Sequence, residues 1–295
     1  MDYFTHRDTA GNHDLFDNDT EVHRKGYLTD LISDRAVEVI GRKRKDPFLL
    51  SVHYNAPHWP WLTRENAAES RRIEKIYHFD GGSVVTYLTM IRQMDEGIGR
   101  ILKALKAAGA DRDTLVVFTS DNGGERFSDT WPLVGKKMDL LEGGIRVPYI
   151  VRWPGKVRAG AATGQVAITM DWVATFLDAA GVKPHPDYPL DGVSLLSVLK
   201  NSAKTFEREL YWKMLFRSQK ALRAGDWKYL SVEGDDFLFN LAKDQRERAN
   251  FAKRDPKRLA AMRARYLAWE ETVPTHPDAT YSVPATKADL VTPSS

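Results

Sequence analysis

The sequence contains no cysteine in 295 residues. That excludes a disulfide framework, a thiolate metal site and a thiol nucleophile, and it leaves the redox compartment open. No apolar run approaches the roughly 18 residues of a membrane span. The N-terminus, MDYFTHRDTAGNHDLFDND, lacks the basic start and apolar core of a signal peptide. Charge of one sign is also missing: 43 basic and 40 acidic residues give a formal net charge of +3, which calls for neither a nucleic acid nor an anionic membrane as partner. The densest basic run, Arg42-Lys43-Arg44-Lys45, reads as a solvated helix C-terminus, where cations oppose the helix dipole. No internal repeat is found. What remains, 42% hydrophobic and 28% charged residues, suits a globular chain long enough to bury a core.

Leu28 to Ile40 carries apolar residues at helical intervals, and Phe48 to Tyr54 (FLLSVHY) reads as a strand that ends in the proline-broken loop Asn55-Ala56-Pro57-His58-Trp59-Pro60. Val84, Leu88, Ile91, Met94, Ile98, Ile101 and Leu105 predict a long amphipathic helix stopped at Gly109. Thr114 to Thr119 and Pro148 to Trp153 read as strands, and Trp172 to Ala180 as a helix. This alternation predicts an α/β fold with a mostly parallel sheet flanked by helices. Near residue 205 the pattern changes. Lys228 to Val232 and Asp236 to Leu241 form short strands about Glu233-Gly234-Asp235, and Asp255-Pro256 caps and starts a helix bearing Leu259, Met262, Tyr266 and Trp269. The expected organisation is an α/β domain over 1–205, a small C-terminal α+β subdomain over 206–271 and an extended tail over 272–295.

The segment Ser120 to Pro148, SDNGGERFSDTWPLVGKKMDLLEGGIRVP, concentrates the chemistry. Asp121 and Asn122 leave the carboxyl end of a strand, where open α/β sheets place ligands, and paired hard oxygens there suit Ca²⁺ or Mg²⁺. Two donors do not complete a shell of about six to eight oxygens. Read alone, Asp121-Asn122-Gly123-Gly124 is equally a turn, Lys136 and Lys137 are surface lysines, and Glu142-Gly143-Gly144 is a loop needing positive φ or close backbone approach. His58, in a loop after a strand, is a candidate acid or base.

Together these residues resemble the sulfatase family, and most of all its arylsulfatase and N-acetylgalactosamine sulfatase branch. The resemblance runs through DYFTHRD at Asp2, GYLTDLISDRAVEVI at Gly26, PFLLSVHYNAPHWP at Pro47, MIRQMDEGIGRIL at Met90 and VVFTSDNGG at Val116. It continues through WPLVGKKMDLLEGGIRVP at Trp131, MDWVATFLDAAGV at Met170, LDGVSLLSVL at Leu190 and ALRAGDWKYL at Ala221. It implies an alkaline-phosphatase-like fold and hydrolysis of sulfate esters, whether of sugars or aryl alcohols. Asp121 and Asn122 would be two of four protein ligands to Ca²⁺, with Mg²⁺ as the alternative; Lys137, rather than Lys136, would contact the sulfate; and His58 would face the leaving group. Glu142 and Arg146 would hold the glycine turn as an ion pair. Trp59, Trp61, Trp131 and Tyr54 would either stack on a sugar or aryl ring or serve as packing.

The resemblance also implies a formylglycine nucleophile, made from a Cys/Ser-x-Pro-x-Arg motif. That motif is absent: Ser282-Val-Pro-Ala-Thr286 ends in Thr and sits in the polar tail. The family's N-terminal Asp-Asp ligands and Gly-Lys-Trp-His segment are missing as well. The chain therefore resembles the C-terminal portion of a sulfatase without its first strands. The expectation is weak calcium binding, no turnover by the chain alone, and a complementing N-terminal segment or a second copy as partner. A non-catalytic binding protein of the same fold is the alternative, and a phosphatase or phosphonate hydrolase a more distant one. Family relatives are often periplasmic, secreted or lysosomal, and the sequence leaves the compartment open.

Overall fold

The computed structural model describes residues 1–73 and 81–274; from residue 275 onward the expected tail, with Ser282, lies outside them. Contacts divide the chain into two units, Met1–Val116 with Arg126–Ser128 and Arg152–Gly155, and Val117–Glu125 with Asp129–Val151 and the chain from Lys156 on. Each is described by itself.

In the first unit, strands β1 (Phe16–Asp17) and β2 (Thr20–Glu21) make a small antiparallel hairpin, turned at Asn18, whose φ of 53° asparagine tolerates well. Helices α1 (Leu28–Gly41), α2 (Ala67–Arg72) and α3 (Val84–Ala107) follow. The Ser83 hydroxyl caps α3 by accepting from the Thr86 amide, and Gly109 ends it at φ +71°. α3 presses on α1 at Gly97, where any Cβ would stand 2.2 Å from Ser33 Oγ. Arg64 ties both helices, to Asp30 at 2.6 Å and Glu96 at 3.0 Å. The core gathers Tyr3, Tyr27, Leu28, Trp61, Leu62 and Met90. No strand forms at Phe48–Tyr54, and Leu49 is 76% exposed. A strand exists through its ladder, and among the described residues no neighbour pairs with this segment.

The second unit holds all but Val116 and Arg152 of a pair of strands, β3 (Val116–Thr119) and β4 (Tyr149–Arg152), with the single-turn helix α4 (Glu142–Ile145) between them in sequence. Helices α5 (Asp171–Ala180) and α6 (Leu196–Lys200) lead into β5 (Glu209–Met214), β6 (Gln219–Ala224), β7 (Trp227–Val232) and β8 (Asp235–Asn240). These four strands form an antiparallel sheet in chain order. β7 and β8 join through Glu233 and Gly234, both at positive φ as a tight hairpin turn requires. Strand alternation gives the sheet two buried faces. Leu222, Tyr229 and Leu238 meet Met262 and Tyr266 of α7 (Pro256–Glu270), which Asp255 caps through the Arg258 amide. Ala221, Leu230 and Phe239 face the other way, onto Leu140, Leu141 and Ile145, so that this face backs the chemistry-bearing segment.

Candidate functional site

Asp121 and Asn122 follow β3 at its carboxyl end. The Asn122 amide donates to Asp121 Oδ2 at 2.7 Å, and the Ser120 hydroxyl lies 3.4 Å from Oδ1. Asp121 is exposed and Asn122 half-buried. A carboxylate beside a carboxamide matches the hard-oxygen chemistry of Ca²⁺ or Mg²⁺ in kind and falls short of it in number. To ligate, Asn122 would turn its amide so that Oδ1 replaces Nδ2 beside the carboxylate.

Behind this pair the backbone crosses itself at glycines. Gly123 N–H donates to Gly144 O at 2.8 Å, Lys137 N–H to Gly124 O at 2.8 Å, and Gly143 N–H to Val134 O at 2.7 Å. A Cβ on Gly123 would meet Gly143 O at 1.9 Å, and one on Gly144 would meet Asp139 O at 2.0 Å. These glycines serve close approach, one of the two reasons expected for them, while Gly135 takes positive φ, at +89°. The crossing fixes Lys137 to the strand-end turn that carries Asp121 and Asn122.

Lys137 is half-buried, with Nζ 3.8 Å from Glu125 Oε2, whereas Lys136 is exposed. Met138 follows in the left-handed region at φ +75°, a conformation that costs a side-chain-bearing residue free energy. Buried Gln219 of β6 supports it from both sides: its amide donates to Met138 O at 2.8 Å, and its Oε1 accepts from Leu140 N–H at 2.9 Å. Nothing in local spacing marks Gln219, which lies 81 positions from Met138.

Glu142 does not pair with Arg146 through its side chain. Arg146 reaches Gln245 at 3.5 Å, while Glu142 Oε1 lies 3.0 Å from Lys228 Nζ and Oε2 lies 3.6 Å from Arg223. Lys228 also lies 2.9 Å from Glu247, whose other oxygen accepts from the Glu142 amide at 2.6 Å. Burial pushes the Glu247 carboxyl above the usual range, against the pull of Lys228. The signal for Lys228 was its place in a strand, two residues before Leu230 and therefore on the same buried face.

His58 belongs to the first unit. Its amide donates to Asn55 O at 2.7 Å, Tyr3 Oη–H donates to its carbonyl at 2.9 Å, and its Nδ1 lies 2.9 Å from Trp59 O. With Nδ1–H given to that carbonyl, Nε2 is the nitrogen that can take up or deliver a proton. The ring is exposed and lies 4.4 Å from that of Trp59. Of the aromatics considered as ring platforms, Trp61 is core and Tyr54 bonds Ser33, but Trp131, in the second unit, is 69% exposed with the Arg246 guanidinium 4.2 Å over its ring.

The sulfatase family model matches residues 1–182, and that for the C-terminal part of N-sulphoglucosamine sulphohydrolase matches residues 131–261. The uncharacterized sulfatase YdeN of Escherichia coli is 34% identical over 212 residues, 68% of this chain and 37% of that protein. The N-acetylgalactosamine-6-sulfatase of Mus musculus is 33% identical over 181 residues, 58% of this chain and 32% of its own. The crystal structure of Ps i-CgsB in complex with k-i-k-neocarrahexaose aligns at a TM-score of 0.74 and 30% identity, over 85% of this chain and 56% of that one. The chain thus spans about a third of the length of these curated relatives.

Proposed function

Because the chain belongs to the sulfatase family, we propose that it carries the cation- and sulfate-binding part of a sulfate ester hydrolase site, with sulfated sugars as the substrate class. The observation that carries this reading is the glycine crossing, which holds Lys137 and the Asp121-Asn122 turn on one backbone knot. The named relatives support the substrate class, since one is an N-acetylgalactosamine-6-sulfatase and another structure holds an oligosaccharide. Their fold suggests that β3 and β4 belong to a larger, mostly parallel sheet of alkaline-phosphatase type. The four-stranded sheet with α7 is proposed as the smaller subdomain over 206–271.

In this reading Asp121 and Asn122 hold Ca²⁺, or Mg²⁺ in its place, through one carboxylate and one amide oxygen. When bound, the cation supplies Lewis-acid polarisation of a sulfate oxygen. Lys137 places a compact positive charge against the sulfate, opposing the negative charge that builds on the bridging oxygen as the ester bond breaks. His58, whose Nδ1 lies 2.9 Å from Trp59 O, keeps Nε2 as the candidate atom for giving a proton to a leaving alcohol. Trp131 offers an apolar face beside the lysine segment for a sugar ring.

Formylglycine does not fit these 295 residues, which contain neither cysteine nor a Ser-x-Pro-x-Arg sequence, so no step is assigned to it. The chain alone is expected to bind sulfate esters without cleaving them, and to need a complementing segment that supplies the nucleophile for turnover. Binding of N-acetylgalactosamine 6-sulfate in the presence of Ca²⁺, measured by calorimetry, tests the assignment. Loss of one charge-assisted contact, about 1.5–3 kcal/mol, predicts roughly 10- to 150-fold weaker binding by Lys137→Ala. Lys136→Ala should bind like the parent. Equal loss in both variants, or hydrolysis of an aryl sulfate by the purified chain, contradicts the proposal.

A further inference from the structure

The β1–β2 hairpin gathers three side chains to which the sulfate chemistry gives no role. His13, Glu21 and His23 each offer one ligand atom, and these atoms lie within 4.8 Å of one another. His23 Nε2 is 3.0 Å from Glu21 Oε1, and the two imidazole rings are 4.2 Å apart. The backbone sets this spacing. His13 bridges antiparallel to Arg7, Val22 N–H donates to Leu15 O at 3.0 Å, and Phe16 pairs with Glu21 in the hairpin register. His13 Nε2 lies 2.9 Å from Val22 O; an N–H there leaves the lone pair on Nδ1, as in metal-binding histidines oriented by a backbone carbonyl.

We propose that His13, Glu21 and His23 form a binding site for a late first-row divalent cation, represented by Zn²⁺. Two imidazoles and a carboxylate are the donors that Zn²⁺ takes, with water as the fourth ligand, whereas Ca²⁺ and Mg²⁺ take oxygens. The site is thus chemically unlike the Asp121-Asn122 pair. Zn–ligand distances near 2.1 Å place tetrahedral ligands about 3.4 Å apart. His23 and Glu21, 3.0 Å apart, lie a few tenths of an ångström inside that separation, and with side chains 76% and 50% exposed they have room to rotate toward His13. Strands of two residues each are marginal by themselves. A cation shared by residues before and after the turn would clip this hairpin shut.

The test is a calorimetric titration of the chelator-treated full chain with ZnCl₂ alone. The parent should bind one equivalent, and His23→Ala should bind more than about 100-fold more weakly, since even outer-shell changes around a metal cost 10- to 100-fold. Glu21→Gln should weaken binding too, and Asp121→Ala should leave it unchanged. Bound Co²⁺ should give the d–d spectrum of a four-coordinate site in the parent and lose it in His23→Ala. The exposed His23 makes that variant informative even if His13→Ala disturbs folding. Absence of stoichiometric binding, or equal Zn²⁺ affinity in the parent and His23→Ala, overturns the proposal.

Discussion

The ammonium of Lys228 lies 3.0 Å from Glu142 Oε1 across 86 positions of sequence, with the lysine side chain wholly buried. Glu247 lies on the same ammonium at 2.9 Å and accepts the Glu142 amide with its second oxygen. Glu142 opens α4, the turn that carries Gly143 and Gly144 into the crossing. The antiparallel sheet therefore supports the Lys137 segment through a buried charge cluster as well as through Gln219.

Removing the cation from that cluster should be severe. Lys228→Met leaves two buried carboxylates without the ammonium they share, and breaking a buried pair in this way costs about 3–5 kcal/mol. Chemical denaturation of the parent and variant measures it. A loss below about 1 kcal/mol would mean that the cluster does not hold α4 in place.

Gly123→Ala should act locally and strongly. The added methyl would meet Gly143 O at 1.9 Å, and the obstructing atom is backbone, which cannot rotate aside. Overpacking of this kind costs about 1–3 kcal/mol, and separation of the crossing strands should weaken cation binding at Asp121. A denaturant midpoint and a Ca²⁺ titration check both effects, and a variant unchanged in each speaks against the crossing as the organiser of the site.

The acid limb of stability should depend on Glu270. The Lys220 ammonium, at 2.8 Å, and that of Lys213, at 2.9 Å, hold its carboxyl below the usual range, against its partial burial. A depressed folded pKa means that the unfolded chain binds the proton first. The contribution is therefore complete above the unfolded value of about 4.3 and disappears as pH falls through the folded one. Glu270→Gln should reduce stability at pH 7 and flatten its decline below about pH 4.3, as followed by thermal melts across pH. A parent and variant with parallel acid limbs would exclude this linkage.

Periodic and capped elements were legible in the sequence. The spacing from Val84 to Leu105 became α3, Asp255-Pro256 became the cap and first residue of α7, and Glu233-Gly234 became the β7–β8 turn. Segment 48–54 has the residues of a strand but no partner among the described residues, and local pattern does not supply a partner. In the site, Asp121 and Asn122 follow from their place after β3, whereas the choice of Lys137 over Lys136 rested on resemblance and now has a difference in burial beside it. Arg146, four positions from Glu142, was a natural partner to infer from proximity. The observed partners come from β6 and β7 and the chain beyond β8, and contacts that distant leave no trace in spacing.

Asp121, Asn122 and Lys137 are proposed to form one cation-and-sulfate site. Its most direct test is a Ca²⁺ titration of the full chain with and without N-acetylgalactosamine 6-sulfate, in the parent and in Asp121→Ala. The expected result is weak Ca²⁺ binding that the sulfate ester tightens, with both the binding and the coupling lost in Asp121→Ala. Ca²⁺ binding that is indifferent to the ester, or equal in the two proteins, contradicts it.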